Sequence, residues 1–159
     1  MTTRWLISAS DRGITGITLN GKSRERKKIG GGRSARLRAG AARELAAYFT
    51  GRRKTFTSPC DIRALPQFTR SVLRIAARIP YGDVRSYQWI ARKLGNPKAA
   101  RAVGNALARN PVPIIIPCHR VVRRDGAIGG FALGAAWKKK LLNLEKTSTK
   151  TKTSITKRA

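Results

Sequence analysis

Ser86-Tyr87-Gln88-Trp89-Ile90-Ala91-Arg92-Lys93-Leu94-Gly95-Asn96-Pro97-Lys98-Ala99-Ala100-Arg101-Ala102-Val103-Gly104-Asn105-Ala106-Leu107 is the stretch whose reading decides the fold. Tyr87, Ile90, Ala91 and Leu94 recur at helical spacing, so one face of a short helix is apolar. Ser86 is a residue type that caps the orphaned N–H groups of a helix start. Gly95 ends the helix. Asn96 is suited to cap a second one, with Pro97 at its first position, where a missing N–H costs nothing; Ala100, Val103, Ala106 and Leu107 form the inward face. Two helices in such close succession outline a helix-turn-helix, with Lys98 and Arg101 facing outward where a recognition helix meets DNA. The same pattern also serves two amphipathic helices with solvated charges, and periodicity alone does not separate the two readings.

Toward the N-terminus, Trp5 to Ala9 and Ile14, Ile17 and Leu19 read as two short strands around a turn at Asp11-Arg12-Gly13, and Asn20-Gly21 is a second hairpin signal. Lys22 to Arg38 is basic and glycine-rich and reads as a loop. It lacks the Gly-Lys-Ser/Thr ending of a phosphate-binding loop. Leu37, Ala41, Leu45, Tyr48 and Phe49 predict a helix stopped by Gly51, and Phe68, Val72, Ile75, Ala76 and Ile79 predict another ended by Pro80-Tyr81-Gly82. A boundary falls between them near Ala64 to Pro66. Beyond Asn110-Pro111, Ile114 to Pro117 reads as a buried extended stretch leading to Cys118-His119. Trp137, Leu141 and Leu144 set the face of a last helix that carries Glu145. From Lys146 onward the chain is a low-complexity basic tail, expected to be disordered.

The chain holds 35 Lys and Arg against 7 Asp and Glu in 159 residues, a net charge of +28. Such a surplus excludes an acidic solvated coat and points to a polyanionic partner, nucleic acid ahead of an anionic membrane. With 41% apolar residues and three Trp the chain is too hydrophobic for a disordered basic protein. No apolar run approaches the ~20 residues of a membrane span, and Met1-Thr2-Thr3-Arg4-Trp5 does not read as a secretory signal, so a cytoplasmic, membrane-free location is expected. Two cysteines and one histidine are too few for a structural zinc site. No metal and no cofactor are expected.

Cys118 followed by the single histidine is the most reactive-looking point in the sequence. A thiolate is the nucleophilic form of cysteine, and an adjacent base generates it near neutral pH. His119 is such a base, directly or through a water, and Glu145 is the acidic residue in an apolar helical setting downstream that would support the imidazolium. The alternative from these residues alone is an inert buried cysteine beside a core histidine.

Ile116-Pro117-Cys118-His119-Arg120-Val121-Val122 resembles the signature of the methylated-DNA–protein-cysteine methyltransferases, the O6-alkylguanine-DNA alkyltransferase family. Ile79-Pro80-Tyr81-Gly82-Asp83-Val84, Ser86-Tyr87, Asn96 through Gly104 and Asn110-Pro111 stand upstream in the family's order, and Gly129-Gly130-Phe131, Lys140-Leu141-Leu142 and Glu145 downstream. A weaker likeness spans Arg43-Glu44-Leu45, Tyr48-Phe49 and Gly51. The resemblance implies an α/β fold: a small N-terminal α/β domain with a short antiparallel sheet (1–64), a mostly helical alkyltransferase and DNA-binding domain with a winged-helix-like helix-turn-helix (65–146), and the basic disordered tail (147–159).

It further implies a stoichiometric suicide reaction that moves the alkyl group of O6-alkylguanine, and of O4-alkylthymine, in DNA to Cys118 after base flipping. His119 takes the thiol proton, Glu145 orients the imidazole, and Tyr87 meets the departing base and crowds the flipped nucleotide's phosphate. Arg101 enters the stack in place of the base, and Asn110 is a hinge. The carbonyls of Cys118 and Val121 read the guanine amino group, and Pro113, Val121, Phe131 and Ala132 line the base pocket. Thr69, Gln88, Asn96, Lys98, Ala99, Arg101, Gly104 and Arg124 face DNA, in the minor groove, where small Ala99, Ala102 and Gly104 permit close approach. The partner is double-stranded DNA carrying O6-alkylguanine, bound by a monomer. Ala132 and Leu133 replace the Ser and Gly of some members, and Trp89 takes a place usually polar. Cys60 is a bystander. A non-catalytic flag protein of the same fold, which binds the lesion for another pathway, is the alternative that Cys118 argues against. The remaining charge, in Lys22 to Arg38, Lys138-Lys139-Lys140 and the tail, lies outside the motif and is read as raising non-specific DNA affinity.

Overall fold

The computed structural model describes residues 4–19 and 31–156; Asn20-Gly21 and most of the basic loop that follows lie outside them. β1 (Trp5–Ala9) and β2 (Ile14–Leu19) pair antiparallel. Ala9 faces Ile14 and Ser8 faces Gly16, which leaves Thr15 as an extra residue. That bulge shifts the alternation of β2, so Ile14 and Ile17 both turn inward and are buried. The edge of β2 is occupied by distant chain: Ile14 N donates to Pro59 O at 2.7 Å, Asp61 N to Ile14 O at 2.8 Å, and Ile17 N to Pro111 O at 2.8 Å.

α1 (Arg33–Phe49) begins four residues before Leu37. Arg33 to Arg38, expected in the loop, therefore form its first turns, since Arg and Ala favour helix and nothing there breaks it. Ala41, Leu45 and Tyr48 are its buried stripe. α2 (Gln67–Ala76) buries Val72, Leu73 and Ala76 and stops short of Ile79. The helix-turn-helix is formed by α3 (Tyr87–Lys93) and α4 (Ala100–Ala108). Ser86 Oγ accepts from Trp89 N at 3.1 Å, and Gly95 ends α3 with a φ of 75° that favours glycine. Asn96 departs from its expected part: Pro97–Ala99 is a 3₁₀ turn before α4, and the Asn96 main-chain oxygen, not its side chain, accepts from Ala99 N.

The segment before the cysteine is a turn rather than the extended stretch expected. Ile116 N donates to Val112 O at 3.0 Å, and Ile114 holds φ at 76°, a strained value for a β-branched residue. Cys118–Arg120 is a 3₁₀ turn, and β4 (Val121–Val122) then pairs in parallel with β3 (Arg85–Ser86) beside α3. α5 (Ala135–Thr156) runs past the boundary drawn at 146. Its backbone stays helical through residues 147–156, expected to be disordered, because that stretch has neither Gly nor Pro to break it.

The whole is the α/β arrangement expected, a small antiparallel sheet with α1 and then a helical unit holding the helix-turn-helix. One hydrophobic cluster joins Ile14, Leu45 and Tyr48 to Val72, Ile90, Val103, Ile114 and Leu141, so the core runs across position 64 without a break. Gly13 marks the tightest seam: a Cβ there would lie 2.7 Å from Pro59 O and 2.8 Å from Asp61 N, both backbone. Gly13→Ala is expected to destabilise the fold by about 1–3 kcal/mol, read from urea denaturation.

Candidate active site

The 3₁₀ turn at Cys118–Arg120 places three functional side chains within three residues, and α5 supplies the groups opposite them. Cys118 is 3% exposed. Asn110, buried at the end of α4, donates from Nδ2 to Cys118 Sγ at 3.1 Å and to Ile116 O at 3.0 Å, while its Oδ1 accepts from Val112 N. One amide thus holds both the sulfur and the strained turn at Ile114. Burial pushes the Cys118 thiol up to about 11 against the opposing Asn110 hydrogen bond and Lys138 charge, so the resting group is a thiol.

His119 is fully buried and donates from Nε2 to Glu145 Oε1 at 2.8 Å. That bond makes Nδ1 the unprotonated nitrogen, and Nδ1 is buried with no hydrogen bond among the described residues. Burial, joined by the Arg120 and Lys138 charges, lowers the imidazole's proton affinity against the opposing bond and charge of Glu145, so the ring rests neutral. Glu145, 1% exposed, also accepts from Arg120 Nε at 3.0 Å and Nη2 at 2.9 Å, from Gly82 N at 3.1 Å and from the Tyr48 hydroxyl at 2.7 Å. Burial pushes its carboxyl up, but the bonds and charges of His119 and Arg120 outweigh this and bring it to about 2. The remaining arm of Arg120 donates to Ile79 O at 2.6 Å.

A concavity of about 750 Å³ has Tyr87, Arg101, Gly104, Gly129 and Gly130 among its walls, while Cys118 and the expected pocket residues Pro113, Val121, Phe131 and Ala132 are not among its lining residues. Tyr87 belongs to both places: it lines the concavity, and burial and then the neighbouring Cys118 raise its phenol. Of the expected pocket residues, Val121 and Pro113 are buried, Phe131 sets its ring edge-on to His119 at 6.1 Å, and Ala132 is exposed. The Cys118 carbonyl accepts from Val121 N and the Val121 carbonyl from Lys138, so each offers a second lone pair only. On the outward face, Asn96, Lys98, Arg101 and Arg124 are exposed, Gln88 donates to Pro97 O, and Gly104 packs its bare Cα toward the Tyr87 ring. Thr69 and Ala99, expected on the DNA-facing surface, are only 4% and 9% exposed. Cys60 is a half-buried free thiol that burial pushes up to about 12. Among the described residues no cluster of His, Cys, Asp and Glu is placed to hold a metal ion, and no helix is long and apolar enough to cross a membrane.

Three residues of this site were not legible as such. Lys138, read as part of a surface lysine cluster, is fully buried and donates to Val121 O at 2.5 Å and Gly130 O at 3.0 Å. It ties the nucleophile's turn to the loop over the concavity, and burial lowers its ammonium to about 8. The signal was its spacing: residues 138, 141, 142 and 145 share one helix face. Arg120 and Tyr48 carry no comparable mark, since Arg120 reads equally well as a mere neighbour in the motif and Tyr48 as a core aromatic.

The family model described as 6-O-methylguanine DNA methyltransferase, DNA binding domain, matches residues 67–147. A methylated-DNA–protein-cysteine methyltransferase of Methanosarcina acetivorans is 47% identical over 108 residues, 66% of this chain and 67% of that protein. Its counterpart in Mycolicibacterium paratuberculosis is 39% identical over 140 residues, 88% of this chain and 84% of the other. The crystal structure of Mycobacterium tuberculosis OGT in complex with DNA superposes with a TM-score of 0.79 at 35% identity, covering 91% of this chain and 87% of that one.

Removing the carboxylate charge at Glu145 strands Arg120 in the interior. Glu145→Gln is therefore expected to cost about 3–5 kcal/mol in urea denaturation at neutral pH. A depressed carboxyl stabilises fully above its unfolded value of 4.5 and loses that contribution as pH falls toward about 2, so the gap between wild type and variant is expected to close across that window.

Proposed function

The chain belongs to the methylated-DNA–protein-cysteine methyltransferase family, and we propose that it repairs duplex DNA by moving one alkyl group from O6-alkylguanine, and from O4-alkylthymine, to the Cys118 sulfur, where it stays. The class is an enzyme of single turnover, and DNA repair by alkyl transfer is its activity. The observation that carries the assignment to Cys118 is the pairing of a buried protonated thiol with an adjacent neutral histidine whose free Nδ1 faces away from Glu145.

The Cys118 proton passes through a water to His119 Nδ1, and Glu145 stabilises the imidazolium that forms. The thiolate attacks the alkyl carbon in line; an S–C bond forms, the C–O6 bond breaks, and its electron pair stays on the base. Tyr87 donates a hydrogen bond to the departing base, and Lys138 supplies fixed positive charge near the sulfur. The reacting carbon is out of reach within a stacked duplex, so the nucleotide is extruded into the concavity. Arg101, exposed on α4 at its wall, fills the gap left in the stack. The small residues of α4 suit close approach in the minor groove, by a single copy of the chain.

Incubation with duplex DNA carrying O6-methylguanine is expected to add one methyl mass to the Cys118 peptide, and Cys118→Ala to abolish this while leaving DNA binding. Unmodified peptide under excess lesion, with binding retained, would turn the assignment to the flag protein. Arg101→Ala is expected to slow transfer from duplex DNA at least tenfold while sparing free O6-alkylguanine, the loss of one unstacking contribution of roughly 1–3 kcal/mol; equal losses on both substrates would remove the intercalating role.

A further inference from the structure

We propose that Tyr48, carried by α1 of the N-terminal unit, is a positioning residue of the alkyl-transfer site, its hydroxyl fixing the Glu145 carboxylate on His119 and moderating that carboxylate's pull on the imidazole. The residue is fully buried. Its hydroxyl donates to Glu145 Oε1 at 2.7 Å, the same oxygen that accepts from His119 Nε2 at 2.8 Å, and lies 3.5 Å from that nitrogen. Phe49 and Phe56, each 5.4 Å away, and Tyr81 at 5.9 Å hold the ring, so the hydroxyl has no other direction to take. Burial and then the Glu145 charge push the phenol far above its ordinary range, which leaves it a permanent neutral donor.

A donor on a carboxylate oxygen draws negative charge toward itself and weakens the hold of that oxygen on a neighbouring cation. His119 is faced by Glu145 and Lys138 from α5, by Cys118 and Arg120 from its own turn, and by Tyr48 from α1, with Tyr81 behind Tyr48 and Arg120. Glu145 is the one group of that set whose charge favours the imidazolium. Tyr48 tempers it and so acts with burial and the Arg120 and Lys138 charges to keep the ring neutral and Nδ1 available. The consequence for repair rests on the alkyl-transfer reading, but the effect on His119 does not.

The chain has a single histidine, so its ring signals in NMR are unambiguous. Tyr48→Phe removes one oxygen and keeps the ring; Tyr81→Phe removes a buried hydroxyl of the same cluster that has no hydrogen-bond partner among the described residues. The His119 titration midpoint is expected to rise by about one pH unit in Tyr48→Phe, a tenfold gain in proton affinity, and to stay in place in Tyr81→Phe. The low-pH limb of the transfer rate is expected to move up by the same amount. An unmoved midpoint in folded Tyr48→Phe, or an equal shift in Tyr81→Phe, overturns the proposal. In the wild-type protein the Tyr48 hydroxyl proton is expected to be protected from exchange and close to the His119 ring, and exchange at the solvent rate overturns the proposal without any variant. Should the wild-type chain take up no alkyl group, the functional reading fails while the midpoints still decide Tyr48.

Discussion

The carboxylate of Glu145 is the constraint on which the remainder depends. A bare carboxylate in a protein interior is too costly to keep, so it survives only where donors surround it. Here they come from three separate parts of the chain: Tyr48 on α1, Gly82 in the turn after α2, and His119 with Arg120 in the turn that carries the cysteine, all converging on one residue of α5. Satisfying that single charge docks the last helix against the first and fixes the cysteine's turn between them. The continuous core across position 64 follows the same logic, since the apolar faces of α1, α2 and α5 must close over the buried pair.

The nucleophile's turn is held in a conformation that its sequence does not favour. Ile114 sits at positive φ, and Asn110 offsets that strain with three hydrogen bonds spanning Val112, Ile116 and Cys118. The amide that sustains the strain is also the donor to the sulfur. Lys138 does the corresponding job on the other side, where its bonds to Val121 and Gly130 keep the loop over the concavity in register with the turn beneath it. Stability and chemistry therefore draw on the same few side chains, and a change at any of them moves both.

The charge surplus divides along similar lines. Arg101, Lys98 and Arg124 are exposed on the face proposed to meet DNA. Arg33 to Arg38 belong to a helix, not a loop, and so present their charge on a rigid element. Arg120 and Lys138 belong to the interior and add nothing to attraction at the surface. Net charge is a sum over the chain, and attraction for a polyanion comes only from the part that water reaches.

Most of the fold was legible because it rests on local rules. Ser86 and Gly95 bound α3, the apolar stripes of α1, α2, α4 and α5 name their inward faces, and Asp11-Arg12-Gly13 marks the turn between β1 and β2. The motif around Cys118 and the helical setting of Glu145 likewise belong to the sequence alone. What it left open depended on partners far along the chain. Val112 to Pro117 is as apolar as a strand, yet it folds into a turn because a side chain from the end of α4 captures its carbonyl. Lys138 looks like any member of a lysine run until the packing of α5 buries it. Tyr48 looks like a core aromatic until the fold brings its hydroxyl to Glu145, a residue 97 positions away. Composition and spacing determine which residues are apolar, charged or reactive; only the folded chain decides which buried polar atoms meet, because those contacts are set by packing geometry and carry no local period.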